Sequence, residues 1–541
     1  MSDYSALEKW IEKFLNRYGV AGLAVAVTDR HEIKYIGTFG YADLSARTPV
    51  NEHHAFELGS IGKTFTALQL LRLSERGLVD LHATVTEFLP WFEAGPYSAQ
   101  ITLHHLLTHT AGVIEGSDLA LDGRFEVWSL RELPVLGPPG EQFHYSNVGY
   151  KVLGYVIEEI MKDSYARVVT REVLAPLGMS ESFMAITDRE RARLAIGYTP
   201  AFRDRPGRKE HGLVPGQWIE TESGDGSIAS PIADFARFTR ALLNRGAGLI
   251  SDESFELMIG DLGPRDPDDP DSTYGYGLKT SETDGRLIWE HGGDMIGYFT
   301  AMQIDPESGL GVCAMVNSLC SVRQIARQTL NVIRAEIAGG DPATFPEVVP
   351  LQVIEEAEEL AGTYSGDSET WRFVAEDGRL YLERPYGRAA VERFWGTDFI
   401  VLDPTLDRDM LAFEYDEDEN VVALHHGDRW LAREGSEHEP APEPSDDWRG
   451  WVGTYQSYNP WLPRFRILIR RGALWCNYGS GWEEVLIELE PAVFQVGESP
   501  SADRIRFDAI AQGQALRAVR NAEPYYRTQE SSLPASRSST S

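Results

Sequence analysis

The sequence predicts an α+β unit built on a mainly antiparallel sheet, followed by two antiparallel β-barrels. Strand-like runs at residues 23–28 and 33–37 open the chain, helical patterns fill its middle, and strands return over residues 288–317. Beyond a linker rich in Gly and Pro, the helical signal fades and short alternating runs are separated by turn residues. Leu-Ala-Gly-Thr-Tyr at 360–364 is echoed by Trp-Val-Gly-Thr-Tyr at 451–455, so we expect two barrels of similar fold.

Composition shifts divide the chain into six parts. The breaks fall at stretches rich in proline and glycine or in acidic residues, which are typical of linkers. The expected parts are an α+β domain (1–338), a linker (339–352), a first barrel (353–434), an acidic linker (435–446), a second barrel (447–527) and a polar, serine-rich, disordered tail (528–541).

Several helices are predicted within the α+β part. The first is amphipathic, with apolar residues at helical spacing over residues 7–15 and a capping-box pair formed by Ser5 and Glu8. A second helix begins at or just after Ser60 and ends at Gly77, whose lack of a side chain suits the position after a helix end. Further helices are expected at residues 150–160, 231–243 and 322–337.

The charge balance limits the possible partners. The 541 residues include 83 acidic and 50 basic side chains, a formal net charge of −33, whereas nucleic acids and anionic membranes bind clustered Lys and Arg. We therefore expect neither nucleic acid nor a membrane as a partner. Cys313, Cys320 and Cys476 are too few for a disulfide framework, and no signal peptide precedes the first helix, so a cytoplasmic location is expected.

Ser60 and Lys63 form the first candidate for chemistry. Three residues apart at the start of a helix, they share one face, so the lysine lies within reach of the serine oxygen. An ammonium group and the positive end of the helix dipole would stabilise a serine alkoxide, which activates a weak nucleophile. Alternatively, Ser60 is a plain helix cap and Lys63 lies on a solvated face.

The second candidate is Tyr145-Ser146-Asn147, which lies between a Pro-Gly turn and a helix. A tyrosine beside an ammonium group can have a lowered pKa, because the opposite charge favours the phenolate. Tyr145 is then expected to accept the serine proton and return it to the leaving group, while Asn147 holds a substrate amide. Alternatively, Asn147 caps the helix and Tyr145 belongs to the core.

The third candidate is His291-Gly292-Gly293, which precedes an apolar strand. Glycines at this place would let a substrate lie along the strand edge, close to backbone N–H groups. His291 is expected to hydrogen-bond the tyrosine or the substrate. A turn with a surface histidine is the alternative.

Together, S-x-x-K, Y-x-N and H-x-G in this order resemble the serine hydrolase superfamily of class C β-lactamases, penicillin-binding proteins, D-aminopeptidases and related esterases. Residues 103–112, Leu-His-His-Leu-Leu-Thr-His-Thr-Ala-Gly, are similar to that family's HLLTHTSG stretch. Residues 139–150 are similar to its PG-x-x-F-x-YSN-x-GY phrase, and Pro-Leu-Gly-Met at 176–179 also fits. The resemblance covers roughly residues 4–338 and implies a β-lactamase/transpeptidase-like domain with an antiparallel sheet and a helical region.

The resemblance also implies a role for each matching residue. It implies that Ser60 is the nucleophile that becomes acylated. Lys63 and Tyr145 would activate it, and Asn147 would orient the substrate. The oxyanion hole would combine the backbone N–H of Ser60 with one on the strand after His291, expected to be that of Asp294 next to Gly293. Water would then hydrolyse the acyl-enzyme, and neither a metal nor an organic cofactor is needed.

The third motif departs from the lactamase pattern. Lactamases and most penicillin-binding proteins carry Lys-Thr-Gly or Lys-Ser-Gly there, and the lysine helps to grip a substrate carboxylate. His291-Gly292-Gly293 therefore points away from an efficient β-lactamase and toward peptidases, amidases or esterases, and Lys279-Thr280-Ser281 lies one strand too early to substitute. His105 and His109 have metal-ligand spacing but lack the zincin glutamate, and no G-x-S-x-G elbow of an α/β-hydrolase occurs.

The two C-terminal barrels bear on substrate size. A catalytic domain followed by two eight-stranded, lipocalin-like barrels resembles bacterial D-aminopeptidases, in which a loop of the last barrel restricts the active site to small substrates. The corresponding loop is expected at Asn477, Tyr478, Gly479, Ser480 and Gly481, with a plain hairpin turn as the alternative. The peptidase that opens linearised microcystin is similar in size and architecture, although no motif unique to it occurs.

The sequence thus predicts a serine peptidase or amidase that acts on short peptides or amides, next to a D-residue such as D-Ala. We expect a monomer or a homodimer. A carboxylesterase with the same machinery is the first alternative. A non-catalytic, penicillin-binding-like binding or sensor protein is the second, and the intact motif residues speak against it.

Overall fold

The computed structural model describes residues 4–116, 123–337, 345–366, 369–438 and 441–528. Within these ranges the chain forms two compact units, and each is described by itself. Unit 1 comprises Met1–Ala201, Arg208–Val348 and Ser499–Ala502, and unit 2 comprises Phe202–Gly207, Val349–Glu498 and Asp503–Ser541. Residues 339–344 of the linker expected at 339–352, and the tail expected at 528–541 beyond Thr528, lie outside the described residues.

Unit 1 is built on an eight-stranded antiparallel sheet, as the sequence predicts. The strand order is β3-β2-β1-β12-β11-β10-β9-β8, and two small two-stranded sheets, β4-β7 and β5-β6, lie outside it. The strands are β1 (Gly22–Asp29), β2 (Ile33–Asp43), β3 (Thr48–Pro49), β4 (Ala55–Glu57), β5 (Tyr198–Pro200), β6 (Leu213–Pro215), β7 (Ala229–Pro231), β8 (Thr273–Tyr274), β9 (Lys279–Thr283), β10 (Arg286–Met295), β11 (Tyr298–Asp305) and β12 (Leu310–Val316).

Helices cover both faces of this sheet, which explains why β1 and β12 are continuous apolar runs. On one face, side chains of α1 and α10 pack against alternate residues of the two strands, and α8 packs on the other face. The helices are α1 (Ser5–Tyr18), α2 (Gly62–Glu75), α3 (Val85–Phe88), α4 (Leu103–Leu107), α5 (Gly123–Ser129), α6 (Asn147–Met161), α7 (Tyr165–Val169), α8 (Ile232–Leu243), α9 (Asp252–Ile259) and α10 (Val322–Ile337).

The first helix forms where expected, but the expected capping box is wrong. Ser5 is the first helical residue, Tyr4 takes the N-cap position, and no side chain caps the helix start. The buried face of α1 instead fixes the helix, because Trp10, Ile11 and Phe14 pack into the core of the sheet.

Helix α2 begins directly after a one-turn 3₁₀ segment, Gly59–Ile61, that carries Ser60. The helix ends at Glu75, and Gly77 follows with a φ of +67°, where a glycine was expected. The sequence suggested one apolar face, yet α2 is buried on almost all sides, polar residues included. Thr64 and Thr66 satisfy their hydroxyls with the backbone carbonyls of Gly277 and Gly224, at 2.7 and 2.6 Å.

Unit 2 contains two closed, eight-stranded antiparallel barrels, which confirms the predicted architecture. In each barrel the strands follow one another in chain order, and the first pairs with the last. The first barrel consists of β13 (Gly362–Ser365), β14 (Thr370–Glu376), β15 (Arg379–Arg384), β16 (Gly387–Trp395), β17 (Asp398–Val401), β18 (Leu411–Tyr415), β19 (Val421–His426) and β20 (Arg429–Arg433), preceded by α11 (Ala357–Leu360).

The second barrel repeats this pattern after α12 (Asp446–Arg449). It consists of β21 (Gly453–Gln456), β22 (Arg464–Arg470), β23 (Ala473–Asn477), β24 (Glu483–Glu490), β25 (Val493–Val496), β26 (Arg504–Ala511), β27 (Gln514–Arg520) and β28 (Glu523–Arg527). The sequence echo explains the likeness: Tyr364 and Tyr455 are both fully buried, and each hydroxyl donates to a carbonyl four residues earlier, at 2.8 and 2.7 Å.

None of the helices in the described part of the chain combines the length and apolar character needed to cross a lipid bilayer.

Candidate active site

The turn that carries Ser60 is fixed by close backbone contacts. Gly59 has a φ of +55°, and a Cβ there would lie 2.7 Å from the backbone nitrogen of Asp294. On the other side of the turn, a Cβ at Gly62 would lie 2.9 Å from the Cα of Gly226. Only glycine permits both approaches, so the serine is held at the start of α2 between strand β10 and the loop of residues 223–227.

Lys63 is the second residue of α2, and its side chain is completely buried. Its Nζ is 3.0 Å from Ser60 Oγ, 2.6 Å from Asn147 Oδ1 and 2.9 Å from the backbone oxygen of Asp225. The alternative of a lysine on a solvated face is therefore wrong. The contacts bring the first and second sequence motifs together, since Lys63 belongs to one and Asn147 to the other.

Tyr145 lies against the same lysine. Lys63 Nζ is 4.9 Å from the centre of the Tyr145 ring, and the phenol lies next to Ser60. The protein packed around the ring raises the pKa of Tyr145 above its ordinary value, and the nearby Ser60 side chain opposes this shift only in part. The sequence-based expectation of a lowered pKa is thus wrong, because burial outweighs the nearby positive charge. The phenol keeps its proton in this state.

Asn147 is the first residue of α6, and its position is set by two other residues. Ser146 is the N-cap: its Oγ accepts from the Gly149 N–H at 3.0 Å and donates to Ile114 O at 2.7 Å. The backbone N–H of Asn147 donates to Glu115 O at 2.7 Å. The alternative of Asn147 as the cap is therefore wrong, and its side chain is left to bind Lys63.

His291 is buried and both of its ring nitrogens are engaged within the protein. Nδ1 lies 2.6 Å from Gly292 O, which can only accept, so Nδ1 carries the proton. Nε2 must then accept from the Tyr274 hydroxyl at 3.0 Å. Burial lowers the pKa of His291 to about 3, so the ring is neutral at physiological pH. The alternative of a turn with a surface histidine is wrong, and so is the expectation of a direct bond to Tyr145, since the tyrosine bonded to His291 is Tyr274.

His291 and Asp294 lie on the same strand, β10, which runs directly past the Ser60 turn. A Cβ at Gly293 would lie 1.9 Å from Leu58 O and 2.7 Å from Thr300 Oγ1. Strand β9 pairs with β10 only as far as Glu290, so beyond that residue β10 is paired with β11 alone among the described strands. The backbone of Asp294 thus lies beside the Ser60 turn. The Asp294 side chain is exposed, although the surrounding protein raises its pKa to about 6.

Residues 7–333 match the model of the family described as Beta-lactamase. The chain belongs to the Beta-lactamase family. This confirms the predicted membership of the superfamily that contains the β-lactamases and penicillin-binding proteins.

The relatives of this Beta-lactamase family member have low sequence identity to it, and the alignments cover only part of each relative. A penicillin-binding protein of Bacillus subtilis (strain 168) is 28% identical over 304 residues, which are 51% of this chain and 64% of that protein. Protein flp of Staphylococcus aureus (strain N315) is 28% identical over 203 residues, 36% of this chain and 40% of that protein. The chain therefore spans less than two thirds of the length of these relatives.

Solved structures share the fold. An octameric penicillin-binding protein homologue from Pyrococcus abyssi is 24% identical with a TM-score of 0.58, over 80% of this chain and 100% of that one. A D-amino acid amidase from Ochrobactrum anthropi SV3 is 24% identical with a TM-score of 0.53, over 61% of this chain and 98% of that one. At these sequence identities, the similarity to the solved structures establishes that the protein shares their fold, but not their activity or substrate.

The candidate loop of the second barrel forms a tight turn within unit 2. The backbone N–H of Tyr478 donates to Trp482 O at 2.9 Å, and that of Gly479 donates to Asn477 Oδ1 at 3.0 Å. Gly479 and Gly481 have φ values of +67° and +102°, which explains the glycines. Ser480 lies at the exposed tip. That this loop restricts the active site stays a prediction.

Sequence reasoning missed three residues of the site. Asp225 contributes a backbone carbonyl, which no side-chain pattern can reveal. Tyr274 belongs to a Tyr-Gly-Tyr-Gly run whose aromatic spacing was the available signal. The His109 ring packs against Tyr145 at a tilt, with the ring centres 4.2 Å apart, and its Nδ1 accepts the Ser146 N–H at 3.0 Å. This histidine of the family phrase therefore contacts two residues of the second motif.

Proposed function

We propose that this protein is a serine hydrolase that forms an acyl-enzyme on Ser60 and cleaves amide bonds of short peptides. The contact between the buried Lys63 Nζ and Ser60 Oγ, at 3.0 Å, carries this proposal. A lysine held against a serine at the start of a helix has few purposes other than activating that serine.

The contacts of Lys63 support its role as the base. Asn147 Oδ1 and Asp225 O can only accept hydrogen bonds, whereas the Ser60 hydroxyl can either accept or donate. A neutral lysine therefore keeps both N–H bonds to Asn147 and Asp225 while its lone pair faces the serine proton. As Ser60 Oγ attacks the substrate carbonyl, its proton moves to Lys63 Nζ.

Tyr145 is better suited to donate a proton than to accept the first one. Its raised pKa keeps the phenol protonated, and it lies beside the serine that will carry the acyl group. When the tetrahedral intermediate collapses, Tyr145 gives its proton to the leaving amine, which leaves a phenolate beside the protonated Lys63. Deacylation runs with the roles reversed: the phenolate takes a proton from the attacking water, and Lys63 returns its proton to Ser60 Oγ as the acyl group leaves, which regenerates Ser60.

The oxyanion of each intermediate would lie between the backbone N–H groups of Ser60 and Asp294. The approach of Gly59 and Gly293 to their neighbours supports this pairing, because both glycines let β10 reach the serine turn. Removing one such donor typically lowers kcat by about 10²–10³-fold. Asn147, held by Lys63, would orient the amide of the substrate.

The neutral His291 supports an amide rather than a β-lactam carboxylate as the group recognised at the third motif. A lysine there would offer a positive charge, whereas His291 offers none above a pH of about 3. We infer a substrate in which a D-residue such as D-Ala lies next to the cleaved amide bond, in line with the D-amino acid amidase of similar fold. Linearised microcystin would be one peptide of this kind.

The remaining expectations accompany this proposal. Buried, unbridged Cys313, Cys320 and Cys476 suit a reducing compartment such as the cytoplasm. A monomer or homodimer is proposed for the assembly, and the domain boundaries near residues 338, 434 and 446 can be tested by limited proteolysis.

The test is turnover of D- and L-alanyl anilides and short acyl nitrophenyl esters by the wild-type protein and Ser60→Ala. We expect anilide cleavage with D preference, and an intact-mass increase at Ser60 after treatment with a fluorophosphonate. Ester turnover without any anilide cleavage would favour a carboxylesterase. A protein that neither turns over these substrates nor gains mass would be a binding or sensor protein.

A further inference from the structure

Three charged side chains outside the proposed machinery lie directly behind it: Glu126, Lys151 and Asp225. Lys151 follows Asn147 by one turn of α6, so the two point from the same face of the helix. Its Nζ lies 2.5 Å from Oε2 of Glu126, which is completely buried on α5, and 4.0 Å from Oδ2 of Asp225. The lysine therefore connects a buried carboxylate to the loop that contacts Lys63.

Asp225 contacts Lys63 through its backbone and Lys151 through its side chain. The backbone oxygen accepts from Lys63 Nζ at 2.9 Å. The carboxylate accepts from the Ser223 hydroxyl at Oδ1 and faces Lys151 with Oδ2. Because the two ends of one residue are held by different lysines, a change at Lys151 alters the direction of the Asp225 carbonyl.

The loop of residues 223–227 has no room to compensate for such a change. A Cβ at Gly224 would lie 2.5 Å from Tyr150 O, and one at Gly226 would lie 3.2 Å from the carbonyl carbon of Gly59. The loop thus fills the space between α6 and the serine turn. A rotation of Asp225 would be transmitted to Lys63 rather than absorbed by the loop.

The charges around Lys151 are paired. Its ammonium group contacts the Glu126 carboxylate and faces that of Asp225, and the lysine is almost fully removed from water. Buried charges persist only when they are paired, so each member of the set depends on the others.

We propose that Lys151, anchored by Glu126, is a positioning residue that sets the Asp225 carbonyl so that Lys63 Nζ is aimed at Ser60 Oγ. The proposal rests on the proposed function of Ser60 as the nucleophile. Its consequence is that the rate of acylation depends on a lysine that contacts neither the serine nor the substrate. Misplacing a reacting group by about 1 Å costs on the order of 10²-fold in rate.

The test compares single and double substitutions. Lys151→Met removes the ammonium group that faces the buried Glu126 carboxylate, so both the melting temperature and the acylation rate fall. Glu126→Gln with Lys151→Met removes both charges, which restores much of the melting temperature. We expect kcat and the rate of fluorophosphonate labelling to stay about 10–100-fold below wild type in the double variant, with KM little changed, and Lys151→Arg to recover part of the rate.

Lys162→Met is the matched control, because it removes an exposed lysine at the end of the same helix and should leave the rate unchanged. If the double variant recovered the rate together with the melting temperature, the network would be purely structural and the proposal would be overturned.

Crystal structures make the test independent of activity. If the wild-type protein did not label at Ser60 at all, the proposed function would fail, and the distance from Lys63 Nζ to Asp225 O would decide the positioning role. In the double variant we expect that distance to lengthen and the Lys63–Ser60 contact to be lost. An unchanged distance of 2.9 Å would overturn the proposal.

Discussion

Replacing Gly293 by alanine should damage catalysis far more than the same change at Gly292. A Cβ at Gly293 would lie 1.9 Å from Leu58 O, whereas real Cβ contacts are longer than 3.0 Å, so strand and turn must separate by about 1.1 Å. At Gly292 the nearest atom is Arg323 Nη2 at 3.4 Å, the end of a flexible side chain. The first change moves the Asp294 N–H away from the serine turn, and the second does not.

The expected loss for Gly293→Ala is about 10²–10³-fold in kcat/KM, or about 2.7–4 kcal/mol of transition-state stabilisation, which is the cost of losing one oxyanion donor. Gly292→Ala should stay within about threefold of wild type. The assay is kcat/KM on a D-alanyl anilide, with thermal melts to confirm that both variants fold. Equal activities of the two folded variants would refute the placement of the oxyanion hole between Ser60 and Asp294.

Three further predictions concern single groups of the site. Lys63→Met should slow labelling of Ser60 by a fluorophosphonate by at least about 10³-fold, because it removes the base that contacts the serine oxygen. Intact-mass kinetics measure the labelling rate, and undiminished labelling would exclude Lys63 as the base. Tyr145→Phe should lower anilide turnover by roughly 10²–10⁴-fold. Turnover of a nitrophenyl ester should fall much less, because nitrophenolate can leave without accepting a proton. Equal losses on both substrates would contradict the role of Tyr145 as the acid. Folding lowers the pKa of His291, so its contribution to stability is fully present above its unfolded pKa of about 6.5. As the pH falls from there toward 3, the free energy of unfolding should decrease by about 1.4 kcal/mol per pH unit. Between pH 7 and pH 5, urea unfolding should therefore show a smaller loss of unfolding free energy for His291→Gln than for wild type.

The motif residues could be found from the sequence because each motif is local. Ser60 and Lys63 are three residues apart on a helix, and Tyr145 and Asn147 flank one helix cap, so short-range geometry fixes each pair. The antiparallel sheet and the barrels were equally accessible, since alternation and turn residues repeat along the chain.

The electrostatics of the site could not be found in this way. The pKa of Tyr145 rises because protein atoms from several segments surround it, and the sequence shows only that a lysine is near. The neutral state of His291 depends on its burial, and its hydrogen-bond partner Tyr274 comes from another strand, β8. The role of Asp225 depends on a backbone oxygen, and the direction of a carbonyl is set by packing rather than by residue type.

The pairing of β1 with β12 has a consequence for the order of folding. These two strands lie side by side at the centre of the sheet, yet they are separated by about 280 residues of chain. At a synthesis rate of roughly 5–20 residues per second, β1 waits about 15–55 s on the ribosome for its partner. Each barrel, in contrast, pairs consecutive strands and needs only some 70 residues to close. The serine turn packs against β10. It therefore reaches its final shape only after most of the first 316 residues have been synthesised.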